Sequence, residues 1–167
     1  MLEVLRAPDK TGSATGDPGV IGSDYNSWRA EFPVKRGIAY DVYAVVCHFN
    51  IVFVLVNSIS GPVVAVTNIL DPPTGNTMVG MYQLPGVWAR FTWEAVDISG
   101  TSGGTAIGGS KELVLPRPYR VAGPQLVVGH NLQQNVGIAV MEFYYEEVAV
   151  PESEWLALMH RRSRSSA

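Results

Sequence analysis

The chain has 167 residues, a length typical of one domain that can bury a sizeable core. Hydrophobic residues make up 47% of it and charged residues only 16%, against about 25% in an average globular protein, so disorder over most of the chain is excluded. The net charge of −3 argues against a protein that binds nucleic acid over its whole surface. Cys47 is the single cysteine, which excludes an internal disulfide framework and a cysteine-based zinc site.

Residues 1–26 are predicted to form a flexible arm before one folded domain. Positions 7–24 carry Gly and Pro among small polar residues, a composition that cannot bury enough apolar surface to order itself. The first residues lack a basic segment followed by a long apolar stretch, so we expect no secretory signal. The domain itself is expected to span residues 27–150.

Apolar runs rich in β-branched and aromatic residues recur along this domain, with Gly and Pro turn signals between them. They predict about nine strands. The runs are residues 27–34, 38–46, 51–56, 62–70, 77–84, 87–98, 112–115, 125–128 and 136–150. Because the connections are too short for a crossover helix, the strands should pair antiparallel. The sequence therefore predicts an all-β fold, an antiparallel β-sandwich of the single jelly-roll type with a short C-terminal helix.

The longest apolar stretch, from Ile38 to Val56, approaches the length of a membrane span. Asp41, His48 and Asn50 interrupt it, and its many Val and Ile residues favour strands over a helix. We therefore expect two adjacent buried strands in this stretch.

Residues 151–167 are predicted to form a helix with a basic tail. Pro151 suits the first helical turn, and acidic and basic side chains stand at the ends where they complement the helix dipole. Apolar residues at helical spacing should dock the helix on the sandwich. They are Trp155, Leu156 and Met159, with Leu158 beside them.

Arg161, Arg162 and Arg164 stand within the last seven positions. The simpler interpretation is a solvated helix end with a favourable dipole interaction. The alternative is contact with an anionic surface, namely the phosphate groups of lipid or nucleic acid.

The motifs that suggest chemistry are weak. Ser102 in GTSGG matches the G-x-S-x-G pattern of a nucleophile elbow, but no helical pattern follows it, so residues 99–110 are interpreted as a Gly-rich surface loop. His48, His130 and His160 are far apart and belong to no metal-binding cluster, so no metal site is predicted. His48 is expected to be a core or interface histidine.

Two further features have structural interpretations. Cys47 is predicted to be a small buried hydrophobic residue. Glu142, Tyr144 and Glu146 share one face of a strand, which is expected to be solvated or to contact another subunit, with binding of a cation or a sugar as the alternative. No catalytic residue and no cofactor are predicted.

The sandwich, its length, the N-terminal arm and the ending VGIAVMEFYYEEVAVPESEWLALMHRR together resemble a viral coat subunit. More narrowly, the chain resembles the smaller single jelly-roll major capsid protein of tailless icosahedral double-stranded DNA bacteriophages with an internal membrane, the type known from thermophilic hosts. The likeness covers Ser27 to Arg162 and rests on strand order, size and the C-terminal strand and helix.

This resemblance implies a structural role in the virion, with the chain made in the host cytoplasm. It implies strands that stand upright on the capsid surface, and capsomers built from two kinds of single jelly-roll subunit. The expected partners are a second copy of the chain, a second capsid protein and the internal viral membrane, without specific nucleic acid. The resemblance implies no enzymatic residues.

Two other functions stay open from the residues alone. A carbohydrate-binding module would present a planar aromatic set such as Trp88, Trp93 and Tyr82. A metal-dependent cupin-like enzyme would assemble its ligands from distant strands.

Overall fold

A computed structural model describes residues 1–8, 25–53, 63–68, 86–92, 105–130 and 136–161. The strands are β1 (Glu3–Pro8), β2 (Tyr25–Ala30), β3 (Ile38–Phe53), β4 (Val63–Thr67), β5 (Val87–Thr92), β6 (Thr105–Val121), β7 (Gln125–His130) and β8 (Val136–Ala149), and the helix is α1 (Glu152–Arg161). The predicted all-β sandwich with a short C-terminal helix is confirmed. The strand predicted over residues 77–84 lies outside the described residues.

The strands form two four-stranded antiparallel sheets. Sheet A has the order β1-β8-β3-β6, and sheet B has the order β2-β7-β4-β5. The first strand therefore pairs with the last, the second with the seventh, the third with the sixth and the fourth with the fifth. Among the described strands, β4 and β5 alone are consecutive within one sheet, so the chain crosses between the sheets at almost every connection.

The two sheets enclose one hydrophobic core, to which alternate residues of each strand contribute. On β8 these are Met141, Phe143 and Tyr145, as the period-2 pattern of this strand predicts. Phe32 packs edge-on against Phe143 and Tyr145, at ring-centroid distances of 5.6 and 5.2 Å. Each buried aromatic side chain contributes roughly 1.5–3 kcal/mol by removal from water, and the edge-on geometry adds a favourable electrostatic contact.

Strand β3 corrects the expectation of two strands between Ile38 and Val56. One strand of 16 residues runs from Ile38 to Phe53 and pairs with β8 on one side and β6 on the other. Asp41 and His48 do not interrupt it, because the alternation places both on the face away from the core, where they have polar partners. A bulge between Val42 and Ala44 keeps this alternation in register with the neighbouring strands.

Strand β6 corrects the expected loop over residues 99–110. Residues 105–110 belong to β6 and pair with β3 in spite of their glycines. The long central strand supplies an unbroken row of backbone partners, which outweighs the low strand propensity of Gly. Residues 99–104 lie outside the described part of the chain.

Strand β1 corrects the expected arm over residues 1–26. Glu3–Pro8 pairs with β8, and the side chains of Leu5 and Ala7 pack against the core. The short apolar start therefore adds an edge strand to sheet A, because alternate residues reach the core while the backbone completes a ladder. Tyr25 and Asn26 likewise belong to β2. Residues 9–24 lie outside the described residues.

Within the part of the chain that the structure describes, no helix has the length and apolar character needed to cross a membrane.

Candidate functional site

The outer face of sheet A, the side turned away from the core, carries a row of apolar side chains that crosses all four strands. Val4 of β1 lies opposite Tyr144 of β8, which lies opposite Ala44 of β3, which lies opposite Val114 of β6. Val4 is 47% exposed and Val114 is 67% exposed, and these two residues stand at the two edges of the sheet. We call this set the apolar row. Contiguous exposed apolar residues rimmed by polar ones are typical of interaction surfaces.

The next row of side chains, two residues further along each strand on the same face, has a charged residue at both edges of sheet A. It consists of Arg6, Glu142, Val46 and Glu112, on β1, β8, β3 and β6 in turn. Arg6 Nε lies 2.7 Å from Glu142 Oε1. Glu112 is exposed at the other edge. The charged row therefore has a cation at the β1 edge and an anion at the β6 edge.

His48 and Ser110 extend this polar surface by a third row. His48 Nδ1 lies 2.6 Å from Ser110 Oγ. Its buried Nε2 lies 3.2 Å from Glu142 Oε2 but is not aligned for a regular hydrogen bond, so the contact is an ion pair when the ring is protonated. The Tyr144 hydroxyl donates to the same carboxylate at 3.2 Å. The His48 imidazole, then the Tyr144 hydroxyl and the Arg6 guanidinium, lower the pKa of Glu142, and these effects outweigh its desolvation.

Ser110, His48 and Glu142 are the residue types of a serine hydrolase, but their setting differs from that of an active site. They lie on an open sheet face, and Ser110 is exposed. Two cavities lie around Arg120, and Ser110 lines neither of them. The three side chains instead join β6, β3 and β8 across the outer face of sheet A.

Sequence reasoning found part of this surface. Glu142 and Tyr144 lie on one face of β8 as predicted, and their side chains are hydrogen-bonded. His48, expected in the core or at an interface, lies on the outer face with 38% of its side chain exposed. Ser110 was missed, since its contact with His48 depends on the register of β3 against β6.

A second polar cluster lies at the end of sheet A nearest to α1. Arg120 of β6 donates from Nε and Nη2 to the two carboxylate oxygens of Asp41 on β3, each at 2.7 Å. Its Nη1 donates to Glu154 Oε1 of α1 at 2.8 Å. Asp41 is only 8% exposed, so its carboxylate is shielded from water, whereas 37% of the Arg120 side chain is exposed. The hydrogen bonds that Arg120 donates to Asp41, and then to Glu154, raise the pKa of its guanidinium.

Helix α1 docks through part of the predicted set. Trp155 and Met159 are half-buried and pack against a small cluster whose helix member is Leu158. Leu156 is 43% exposed, so its predicted docking is wrong. The reason is the helical period: residues three or four apart, such as Trp155, Leu158 and Met159, share a face, whereas Leu156 points to the side. The helix covers Ala39 and Ala122, which are almost fully buried.

The predicted basic residues are only partly described. Arg161 is exposed at the end of α1 and helps to line an open cavity of about 370 Å³ together with Arg120, Asp41 and Glu154. Arg162 and Arg164 lie outside the described residues. The cavity therefore combines two guanidinium groups with two carboxylates, both of which Arg120 already binds.

The other predicted residues have varied surroundings. Cys47 is fully buried, as predicted, and burial raises the pKa of its thiol to about 12. Trp88 stacks on Tyr119, with ring centroids 4.4 Å apart and planes at 10°. His130 belongs to β7, where its backbone is opposite Tyr25. Ser102, Trp93 and Tyr82 lie outside the described residues.

No protein-family model matches the chain, and no curated protein matches it. Among the described residues, no three His, Cys, Asp or Glu side chains are grouped so as to hold a metal ion.

Proposed function

We propose that the chain is a structural subunit of a viral capsid, which assembles side by side into capsomers of an icosahedral shell. The observation that carries the proposal is the strand order. The strands pair from the two ends of the chain inward, and successive pairs lie in alternate sheets. This is the order expected when a long hairpin of eight strands folds into a jelly roll. Viral coat proteins are a large class of jelly-roll domains.

The outer face of sheet A supports a role in assembly. The apolar row runs from one edge of the sheet to the other and ends in two exposed valines, Val4 and Val114. Such a surface favours contact with another protein over contact with water. The low charged fraction of 16% fits a surface of which much is buried between subunits.

The proposal places the chain in the virion, after synthesis in the host cytoplasm. Its partners are other copies of itself and a second capsid protein. Arg161, Arg162 and Arg164 would face the internal viral membrane, where anionic lipid attracts arginine. The proposal includes no catalytic step, no cofactor and no specific nucleic acid.

A carbohydrate-binding module is the alternative, and one contact disfavours it. Sugar platforms need aromatic ring faces open to the ligand, but Trp88 has Tyr119 stacked on one face. Its indole also lies near Gln125, with Nε1 3.4 Å from Oε1. The Trp88 ring therefore serves the packing between the sheets.

The proposal is tested on particles purified from cells that produce the chain. Quantitative mass spectrometry with isotope-labelled peptides of the chain should find many copies per particle, at a fixed ratio to one other abundant shell protein. Particles that lack the chain would contradict the proposal. Binding of the monomeric protein to a glycan array would favour the alternative.

A further inference from the structure

We infer that copies of the chain meet edge to edge through sheet A, with β1 of one copy beside β6 of the next. The inference rests on the proposed function, because it names the surface and the partner through which the subunits assemble. The two strands are the edges of sheet A, and neither has a further paired strand among the described residues. An edge strand with free backbone groups is a template for pairing with another chain.

The direction of the strands fits this contact. Every pairing in sheet A is antiparallel, so across its four strands β1 and β6 run in opposite directions. A second copy placed beside the first therefore continues the sheet with an antiparallel pair. The rows then continue as well, because Val4 and Val114 stand in one row and Arg6 and Glu112 in the next.

The side chains at the two edges are complementary. Val4 of one copy meets Val114 of the next, and both valines are about half exposed or more in the single chain. Arg6 meets Glu112 of the next copy, so opposite charges face each other. Glu112 has no ion pair among the described residues. Arg6 contacts Glu142 through Nε and keeps further N–H donors for a second carboxylate.

Two features of β6 bear on how its edge can pair with another copy. Lys111 donates a hydrogen bond to the carbonyl oxygen of Thr92 on β5, so its side chain turns toward sheet B. The register of β6 against β3 shifts after Val114, where residues 115–118 have no partner on β3. This irregularity limits the contact to residues 105–114 of β6, a stretch long enough to pair with all six residues of β1.

The contact is heterologous, because two different edges meet. Such a contact repeats from copy to copy and gives a ring when the rotation between copies closes. A closed ring of subunits fits the capsomer of the proposed function. A face-to-face contact of two identical surfaces would instead stop at a dimer.

The first experiment compares two exposed valines. Val114→Lys places a charge in the contact, and Val34→Lys is the matched control, because Val34 is 56% exposed and lies between β2 and β3. Light scattering and sedimentation at micromolar concentration and low salt measure the assembly. We expect oligomers of the wild type and of Val34→Lys, and at least a tenfold weaker association of Val114→Lys. Equal association of all three proteins would overturn the inference.

The second experiment uses cysteine cross-linking under mild oxidation. Within one copy, positions 4 and 114 are three strand spacings apart, about 14 Å, beyond the roughly 7 Å that a disulfide allows between Cα atoms. The double variant Val4→Cys/Val114→Cys should therefore form a covalent ladder of dimers, trimers and larger species. A mixture of the two single variants should stop at dimers. Cross-linking of either single variant with itself would indicate a contact between identical surfaces and would overturn the inference.

These outcomes separate the inference from the proposed function. If the chain is abundant in the shell but Val114→Lys assembles like the wild type, the edge contact is wrong and the capsid role stands. If the wild type is monomeric alone and Val114→Lys blocks only its incorporation into particles, the edge binds a different shell protein, and the second copy as partner is wrong. If the wild type neither associates nor occurs in particles, both fail.

Discussion

Arg120 and Asp41 stand opposite each other on β6 and β3, and the guanidinium binds both carboxylate oxygens of Asp41 at 2.7 Å. The same guanidinium reaches Glu154, so one side chain connects two strands of sheet A with α1. The planar guanidinium of arginine can donate two parallel hydrogen bonds to one carboxylate, which the single ammonium group of lysine cannot do. The helix is thus held by a charged contact in addition to its apolar face.

Replacement of Arg120 by Met should destabilise the protein by about 3 kcal/mol, because it leaves the shielded carboxylate of Asp41 without its partner. The matched control is Arg36→Met, which removes an exposed ion pair with Glu152 at the start of the same helix. Its expected cost is below about 1 kcal/mol. Urea unfolding followed by circular dichroism measures both. Equal losses for the two variants would show that the Arg120 contact is no stronger than a surface pair.

The docking of α1 should depend on Leu158 and not on Leu156. Leu158→Ala leaves a cavity between the helix and the sheet and should cost about 2–3 kcal/mol. Leu156→Ala changes an exposed side chain and should stay within about 0.5 kcal/mol of the wild type. Thermal and urea unfolding of both variants test this. A larger loss for Leu156→Ala would mean that the helix docks by its other side.

Protonation of Glu142 should account for part of the stability that the fold loses at acid pH. His48, Tyr144 and Arg6 lower the pKa of this carboxyl in the folded state below its ordinary value of 4.5. Its contacts therefore stabilise the fold fully above the unfolded pKa, and their effect is lost as the pH falls through the folded pKa. Glu142→Gln should flatten the dependence of the unfolding free energy on pH in this acid range. An unchanged slope would contradict the account.

Tyr145 should affect the free energy of unfolding at alkaline pH. Burial, and then its hydrogen bond to Glu3, raise the pKa of the phenol from 10.0 to about 12. This contribution is present below the unfolded pKa of 10.0 and is lost as the pH rises through about 12. Tyr145→Phe should reduce the loss of stability above pH 10.0 and leave the acid limb unchanged. Because Tyr145→Phe should not change the acid limb, its unfolding free energy measured from acid to alkaline pH also serves as a control for Glu142→Gln.

The fold class followed from local patterns, whereas the polar contacts did not. Alternation along β8 predicted that Met141 and Phe143 face the core, since the strand period alone decides which side is apolar. Arg120 and Asp41 are 79 residues apart in sequence, and His48 and Ser110 are 62 apart. Such pairs depend on the register between strands, which no local pattern determines.

The errors of the sequence analysis have two origins. Residues 105–110 and β1 have weak strand propensity, but each lies beside a long strand that supplies backbone partners. Leu156 was grouped with Trp155 and Met159 as a residue at helical spacing, although the helical period places it to the side of the face that Leu158 docks. Tertiary pairing in the first case and helix geometry in the second outweighed composition.

The basic tail should contribute to membrane binding and not to folding. A chain that ends at Arg161 keeps α1 but lacks Arg162 and Arg164. Each arginine near an anionic leaflet is worth about 1 kcal/mol, so low-salt binding to anionic vesicles should weaken about thirtyfold. Arg162→Gln/Arg164→Gln in the full chain should give the same loss. Equal vesicle binding by the three proteins would leave the arginines a helix-end role only.

The central claim is that copies of this sandwich build the shell of a virus particle. The most direct measurement is an electron cryomicroscopy map of purified particles in which individual strands are separated. We predict a shell of repeated upright domains into which the sandwich fits, with β1-β8-β3-β6 in one sheet, β2-β7-β4-β5 in the other and α1 at one end. A shell whose repeated domains have a different strand order, with no density that fits this chain, would contradict the claim.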